Sequence, residues 1–148
     1  MDSVIARLNA AGARYLVIGG QAVRLHGLPR FSMDWDFYIP ARDRENFDRI
    51  EKALDGELDV DLLPIGPRGE RVIQTYQTRW GVLQFHLAVP GVPDFDAAER
   101  SSVWLTNEDG ERVRCLSARD LLASKRATNR PQDQQDIAYL EELLRVSE

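Results

Sequence analysis

The sequence has little of what marks a disulfide-rich, membrane-spanning or broadly nucleic-acid-binding protein. Cys115 is its one cysteine, which excludes a disulfide framework and a cysteine-based zinc site. No apolar run approaches the roughly 20 residues that cross a bilayer, and the N-terminus lacks the basic start and apolar run of a signal peptide. The net charge of −5 argues against non-specific binding to nucleic acid. We therefore expect a cytoplasmic protein with no membrane partner.

What is present suits an ordinary globular chain. The 148 residues are 43% hydrophobic and 29% charged, and this length predicts one domain spanning residues 1–148. A chain of this size buries roughly 70% of the surface that it exposes when unfolded, enough for a substantial core.

Hydrophobic periodicity predicts an α/β fold of the α+β type, with a mixed sheet, helices packed against it and a C-terminal helical pair. Helices are predicted at 2–12, 21–27, 43–54, 118–127 and from 132 onward. Strands are predicted at 14–18, 33–40, 58–64, 71–78, 81–89, 101–106 and 112–116. Asp43 is a predicted N-cap, and Ser117 with Asp120 matches a capping box. Cys115 is expected to be a small buried residue on a strand.

Gly19 and Gly20 separate a buried strand from a helix. Glycine adopts backbone conformations that other residues resist, and it lets backbone N–H groups approach a phosphate. A Gly-Gly pair is more often only a turn. By itself the pair leaves both possibilities open.

Asp34 and Asp36 alternate on the next predicted strand, so both carboxylates share one face. Two such carboxylates raise each other's proton affinity unless a cation lies between them. Mg²⁺ suits oxygen ligands of this kind and also takes phosphate oxygens and water. A solvated strand face carrying charges is the alternative.

Together these stretches resemble the nucleotidyltransferase fold of the polymerase-beta-like superfamily. The resemblance is strongest to its short, single-domain bacterial and archaeal branch, related to the AbiEii-type toxins of abortive-infection pairs. It is carried by the segments "YLVIGGQAVRLHG", "RFSMDWDFYI", "AVPGVPDFDAA" and "LSARDLLASKRATNRPQDQQDIAYLEEL".

The resemblance implies transfer of a nucleoside monophosphate from an NTP to a hydroxyl of RNA or protein. Asp34 and Asp36 would hold Mg²⁺, and Gly19 and Gly20 would cradle the phosphates. A prokaryotic toxin–antitoxin component with an antitoxin-like partner protein is also implied.

A third carboxylate is implied on a later strand, but the matching position holds Gln84. Glutamine cannot act as a general base, a role worth about 10² to 10⁴ in rate. His86 lies two residues on, shares that face and is the first substitute; a partly buried strand histidine is the alternative. Asp59 and Asp61 form a second alternating pair and are the other substitute. Gln84 also supports a rival function, a catalytically weakened nucleotide-binding or interaction module.

Four basic or polar residues remain as candidates for phosphate contacts or helix ends. Arg30 and Ser32 precede the aspartate strand, and Arg30 could grip phosphate with its planar fork. The resemblance implies that Lys125 contacts the triphosphate, and its stem is expected to pack little. Lys125, Arg130, Asp133 and Asp136 match a "K…RPxDxxD" pattern of the toxin branch; a helix pair tied by charges is the alternative. His26 could contact a nucleotide or satisfy the last carbonyls of its helix.

Overall fold

The structure is a computed structural model that describes residues 2–147, and its centre is a six-stranded mixed sheet. The strands are β1 (Leu16–Ile18), β2 (Trp35–Tyr38), β3 (Ile73–Thr78), β4 (Gly81–His86), β5 (Val103–Thr106) and β6 (Arg112–Cys115). Their order across the sheet is β3-β4-β2-β1-β6-β5. β1 and β2 are therefore central, and β3 and β5 form the two edges.

Within the described part of the chain, six α-helices accompany the sheet, which agrees with the predicted α+β class. They are α1 (Val4–Ala10), α2 (Gly19–Leu25), α3 (Arg44–Ala53), α4 (Phe95–Ser101), α5 (Ala118–Thr128) and α6 (Gln134–Val146), with a 3₁₀ turn at Pro131–Asp133 before α6. α5 and α6 pack on each other as the predicted C-terminal pair, and α2 contacts β1, β2 and α5. No helix within residues 2–147 has the length and apolar character required to cross a membrane.

The strand pairing decides which residues meet at the centre. β2 runs antiparallel to β1, with Asp36 opposite Ile18, and parallel to β4, with Asp36 opposite Gln84. Gly19 follows Ile18 directly and begins α2. The register therefore brings the glycine turn, Asp36 and Gln84 side by side, although they are far apart in sequence.

Asp43 and Ser117 are confirmed as N-caps, whereas the Asp120 carboxylate of the predicted capping box accepts from the Ser101 hydroxyl. The Asp43 side chain accepts a hydrogen bond from the backbone N–H of Asn46 at 3.0 Å, and the Ser117 hydroxyl accepts one from Asp120 at 3.1 Å. Each satisfies a backbone donor that the first turn of a helix would otherwise leave unpaired.

Aromatic side chains of β2, of β4 and of the residue that precedes β1 meet in the core. Phe37 of β2 is fully buried between Tyr15, whose ring lies edge-on at 5.8 Å, and Phe85 of β4, which stacks at 5.5 Å. Cys115 is also fully buried on a strand, as predicted, and burial raises the pKa of its thiol. Phe37 thus fixes β2 in the core, and Tyr38 is buried on the opposite side of the strand, where Asp36 stays partly exposed.

The strand predicted at 58–64 is wrong. This segment is irregular and lies beside the edge strand β3. The side chain of Gln74 makes the contact: its Oε1 accepts from the N–H of Leu63 at 3.0 Å and its Nε2 donates to the Leu63 carbonyl at 2.7 Å. One side-chain amide therefore replaces a pair of ladder hydrogen bonds, and the β3 edge is covered without a seventh strand.

Candidate active site

A pocket of about 860 Å³ lies between the sheet and α5. Its polar residues form two walls. The sheet wall consists of Gly19, Asp36, Gln84 and His86, and the helical wall consists of Ser124, Lys125, Thr128 and Arg130. The rest of the lining is mainly apolar and comes from Ile18, the start of β3 and residues 88–93. The volume falls within the roughly 300–1,000 Å³ typical of small-molecule sites.

Gly19 lets the sheet wall close around Asp36. Its φ of +71° is one that residues with a side chain rarely adopt, and a Cβ built on it would lie 2.9 Å from Asp36 Oδ2. Any larger residue would displace that carboxylate. The glycine turn and the aspartate strand, which are only motifs in the sequence, are in direct contact in the structure.

Asp34 occupies a different environment from Asp36. It is exposed, lies just before the first residue of β2 and does not line the pocket. Asp36 has a side chain that is 23% exposed and stands within the pocket. The alternation places both on one face, but only Asp36 is enclosed.

Gln84 and His86 both line the pocket, and His86 binds Asp36 directly. The His86 Nε2 lies 2.8 Å from Asp36 Oδ1. Because a carboxylate oxygen accepts, Nε2 carries the hydrogen and donates a hydrogen bond to Asp36. In this arrangement Nε2 orients Asp36 and is not free to accept a proton. Gln84 is the in-register neighbour of Asp36 on β4.

Arg30 and Ser32 lie against Gly20, beside the pocket and not in its lining. A Cβ on Gly20 would come within 2.7 Å of the Ser32 hydroxyl oxygen and 3.3 Å of Arg30 Nη2. Gln21 holds this loop in place, because its Nε2 donates to the Ser32 carbonyl at 3.0 Å. The loop that precedes β2 therefore covers the glycine turn.

Lys125 is buried, and the expectation that its stem packs little is wrong. The residue is 7% exposed, and its Nζ lies 3.1 Å from Asp133 Oδ1 and 3.2 Å from Asp136 Oδ2. Both carboxylates are almost fully enclosed, with side chains 3% exposed. Lys125 therefore joins α5 to the start of α6 as well as lining the pocket, which fits the helix pair tied by charges.

Two arginines complete this group. Arg130 pairs with Asp133 through Nε at 2.8 Å, and Arg30 Nη1 pairs with Asp136. Burial disfavours the charged form of Asp133, but hydrogen bonds from Arg130 and Lys125 outweigh it and hold its pKa below the usual range. We call Arg30, Lys125, Arg130, Asp133 and Asp136 the charge cluster. With three cationic and two anionic side chains, the cluster carries one net positive charge.

Residues of the helical wall were the main omission of the sequence analysis. Ser124 and Thr128 face the pocket with Lys125, and their spacing of four residues on a helix is the signal that could have indicated them. Arg130 was noted only as part of a pattern. Gly91 was also missed: a Cβ there would lie 2.6 Å from the Ala123 carbonyl oxygen, so α5 packs directly on the 88–93 segment.

The remaining candidates lie elsewhere. His26 Nε2 donates to the Leu116 carbonyl at 2.9 Å, so it bonds a neighbouring segment instead of its own helix, and burial lowers its pKa. Asp59 and Asp61 are exposed and lie outside the pocket lining. Neither aspartate shares the pocket with Asp36.

The donors at Asp36 fit a magnesium ion that takes most of its ligands from a bound nucleotide. Within residues 2–147, no group of three or more histidine, cysteine or carboxylate side chains is arranged to hold a metal ion. Asp36 is nevertheless a partly exposed carboxylate in a pocket, and Asp34 stands two residues before it. Mg²⁺ bound through one or two carboxylates plus phosphates requires no more protein ligands than these.

This arrangement of sheet, glycine turn and aspartate strand is the nucleotidyltransferase fold. It is shared over 96% of this chain with TM1012 of Thermotoga maritima, which is assigned to the nucleotidyltransferases, at 13% identity and a TM-score of 0.62 over 88% of that chain. The fold is also similar to that of ANT(2")-Ia, solved with adenylyl-2"-tobramycin, at 17% identity and a TM-score of 0.63, over 95% of this chain and 85% of that one.

The lincosamide antibiotic adenylyltransferase LnuA, solved with lincomycin bound, shares the fold at 16% identity and a TM-score of 0.56, over 93% of this chain and 92% of that one. By sequence, no family model and no curated protein matches the chain. At these identities the likeness establishes the fold.

Proposed function

We propose that this protein transfers a nucleoside monophosphate from an NTP to a hydroxyl group, with release of pyrophosphate. One observation carries the proposal. The Asp36 carboxylate stands on a central strand against Gly19, in the same pocket as Lys125 and Arg130. A metal-binding carboxylate and phosphate-binding cations are the two kinds of group that phosphoryl transfer requires.

In the proposed reaction the acceptor oxygen bonds to the α-phosphorus of the NTP. The bond from that phosphorus to the bridging oxygen of the β-phosphate breaks, pyrophosphate leaves and the hydroxyl proton passes to solvent. Such transfers depend chiefly on positioning and electrostatic stabilisation. Mg²⁺, when bound at Asp36 and Asp34, would neutralise phosphate charge.

The protein residues have distinct roles in this proposal. His86 orients the Asp36 carboxylate by donating from Nε2. Gly19 allows the phosphates to approach the backbone beside it, and Ser32 and Arg30 border the neighbouring Gly20. Arg130 supplies a partly exposed cation on the opposite wall, with a side chain 54% exposed.

Two classes of acceptor are compatible with this reaction, a macromolecule and a small molecule. The resemblance in sequence implies a hydroxyl of RNA or protein, with a toxin-like role and an antitoxin-like partner. The pocket volume and the antibiotic adenylyltransferases among the fold neighbours support a small molecule instead. The net charge of −5 adds to this support, because it disfavours a polyanionic acceptor.

A nucleotide-binding module with weak or absent transfer is the second candidate. Gln84 favours it, because the in-register neighbour of Asp36 on β4 is a neutral amide. His86 does not replace a missing base through Nε2, because that nitrogen donates to Asp36. Without a base, transfer would lose about 10² to 10⁴ in rate but NTP binding would persist.

The test uses each of four NTPs labelled at the α-phosphate, with Mg²⁺ and three acceptor arms: total RNA, a protein extract, and hydroxyl-bearing small molecules. Wild type is compared with Asp36→Asn and with Asp59→Asn, an exposed control outside the pocket. Label transfer that Asp36→Asn abolishes and Asp59→Asn retains supports the proposal. NTP binding without transfer to any acceptor supports the binding module. The absence of both binding and transfer overturns both candidates.

A further inference from the structure

We propose that Asp136, on α6, is a positioning residue that holds Arg30 and Lys125 together as paired cations for the nucleotide phosphates. The inference rests on the proposed function, because it assigns these cations to the phosphates of the same site. It makes the C-terminal helix a part of the nucleotide site, although α6 itself contributes no residue to the pocket lining.

The geometry centres on one carboxylate oxygen. Asp136 Oδ2 lies 3.2 Å from Lys125 Nζ and is also paired with Arg30 Nη1. The Asp136 side chain is 3% exposed, whereas that of Arg30 is 32% exposed. The buried carboxylate therefore bridges a cation of the helical wall and a cation beside the Gly20 turn.

Arg30 needs such an anchor, because it lies in a loop. Residues 26–34 contain no helix or strand, and an arginine there would sample many rotamers. α6 fixes the loop at a second point, where the Tyr139 hydroxyl donates to the His26 carbonyl at 2.7 Å. Cations held in place before binding lose less conformational freedom when the ligand arrives, which raises affinity.

Asp136 also permits two like charges to share a small space. Lys125 and Arg30 both contact the same oxygen atom, and without that carboxylate they would repel each other. Asp133 compensates Lys125 and Arg130 in the same way but makes no recorded contact with Arg30 in the described chain. Asp136 is thus the carboxylate that links Arg30 to the pocket.

A purely structural role predicts a different result. If Asp136 only stabilises the α5–α6 pair, replacing it lowers the melting temperature but leaves the affinity of the folded protein unchanged. If it positions Arg30, its replacement weakens phosphate binding, and that loss depends on Arg30 being present. A double-mutant cycle separates the two, because residues acting as one unit give non-additive effects.

The experiment measures the affinity of tripolyphosphate and of MgATP by calorimetry, well below the melting temperature of each variant. The variants are Asp136→Asn, Arg30→Gln and the double variant. Glu142→Gln is the control, because it removes one negative charge from the exposed surface of the same helix. We expect each single variant to bind about tenfold more weakly, the double variant to be no weaker than either, and Glu142→Gln to match wild type. Asp136→Glu should regain part of the affinity, and any transferase activity should show a raised KM.

Three results would overturn the inference. One is an unchanged affinity in folded Asp136→Asn. Another is a double variant about 100-fold weaker than wild type, since independent losses multiply. The third is a wild type that binds neither tripolyphosphate nor MgATP, which would overturn the proposed function as well; the first two leave that function standing. If Asp136→Asn does not fold, Asp136→Glu takes its place in the cycle; its affinity loss should then be smaller than tenfold and should vanish when Arg30 is already replaced.

Discussion

The two walls of the pocket carry charge in different ways. On the sheet wall, Asp36 is partly exposed and its side chain is hydrogen-bonded to the ring of His86. On the helical wall, Lys125 is buried and balanced by two buried carboxylates, which arginines balance in turn. A buried charge persists only when it is paired, whereas a carboxylate open to water can remain available to a ligand.

The difference predicts that the helical wall governs stability and the sheet wall governs chemistry. Removal of the buried Lys125 charge on the helical wall should strongly lower the free energy of unfolding. The same change on the sheet wall should leave the fold intact. Three substitutions test this division, and a fourth, at His26, probes a site outside both walls; they are given from the largest expected effect to the smallest.

Lys125→Ala should cost about 3–5 kcal/mol of stability, because it leaves Asp133 and Asp136 short of a cation in a buried site. Thermal and urea unfolding measure the loss. Arg126→Ala is the matched control. Arg126 is the next residue on α5 and pairs with Glu141 at the surface, so its replacement should lower the free energy of unfolding by less than about 1 kcal/mol. Equal losses for the two variants would show that the helical wall is not under electrostatic control.

Asp36→Asn should lower nucleotidyl transfer by about 10² to 10³, because it removes the negative charge closest to the glycine turn. Its unfolding free energy should change by less than about 1 kcal/mol, since the asparagine can still accept a hydrogen bond from His86. Steady-state kinetics and urea unfolding of the same preparation provide both numbers. A variant that is destabilised but fully active would place Asp36 with the structural charges.

Gln84→Asp should raise transfer, by up to about 10² if a base is what the site lacks. The new carboxylate would stand beside Asp36, so the protein without ligand should melt lower than wild type, and Mg²⁺ with NTP should restore more stability. Gln77→Asp, on the exposed side of β3, controls for an added negative charge. If Gln84→Asp changes neither rate nor the ligand-linked melting shift, the sheet wall does not need a second carboxylate at this position.

His26 should make a small pH-dependent contribution outside both walls. Burial lowers its pKa below the ordinary value of 6.5, so below that pH the unfolded chain binds more protons than the folded one. Stability should therefore fall as the pH falls from about 6.5, by at most about 1.4 kcal/mol per pH unit. Urea unfolding at several pH values should show that the free energy of unfolding changes less steeply with pH for His26→Gln than for wild type. Identical slopes would mean that His26 titrates alike in both states.

Local patterns were sufficient for most of the secondary structure. The N-caps at Asp43 and Ser117 each depend on a few neighbouring residues, and both are confirmed. Burial along β2 does not follow the predicted alternation, because Phe37 and Tyr38 are both buried. The segment at 58–64 shows the limit of such reasoning. Its alternation is typical of a strand, but Gln74 on β3 occupies its backbone groups, and that contact depends on residues 11 positions away.

The motifs of the candidate site were predictable from the sequence, but the burial and the neighbours of its side chains were not. The sequence indicates Gly19, Gly20 and Asp36 as motif residues, but nothing in the spacing of Asp34 and Asp36 separates the exposed aspartate from the enclosed one. The burial of Lys125 was also missed. A lysine on a polar helix face is usually solvated, and only the packing of α6 against α5 surrounds this one.

The sequence by itself determined most of the elements, the N-caps at Asp43 and Ser117 and the two motifs, because turns, helix ends and periodicities arise from interactions within a few residues. It did not indicate α4. The tertiary structure alone decided that Ile18, Asp36 and Gln84 lie side by side, that His86 donates to Asp36, and that Asp136 joins Arg30 to Lys125. Those contacts join residues far apart in the chain. They follow from strand order and helix packing, which the whole core sets together.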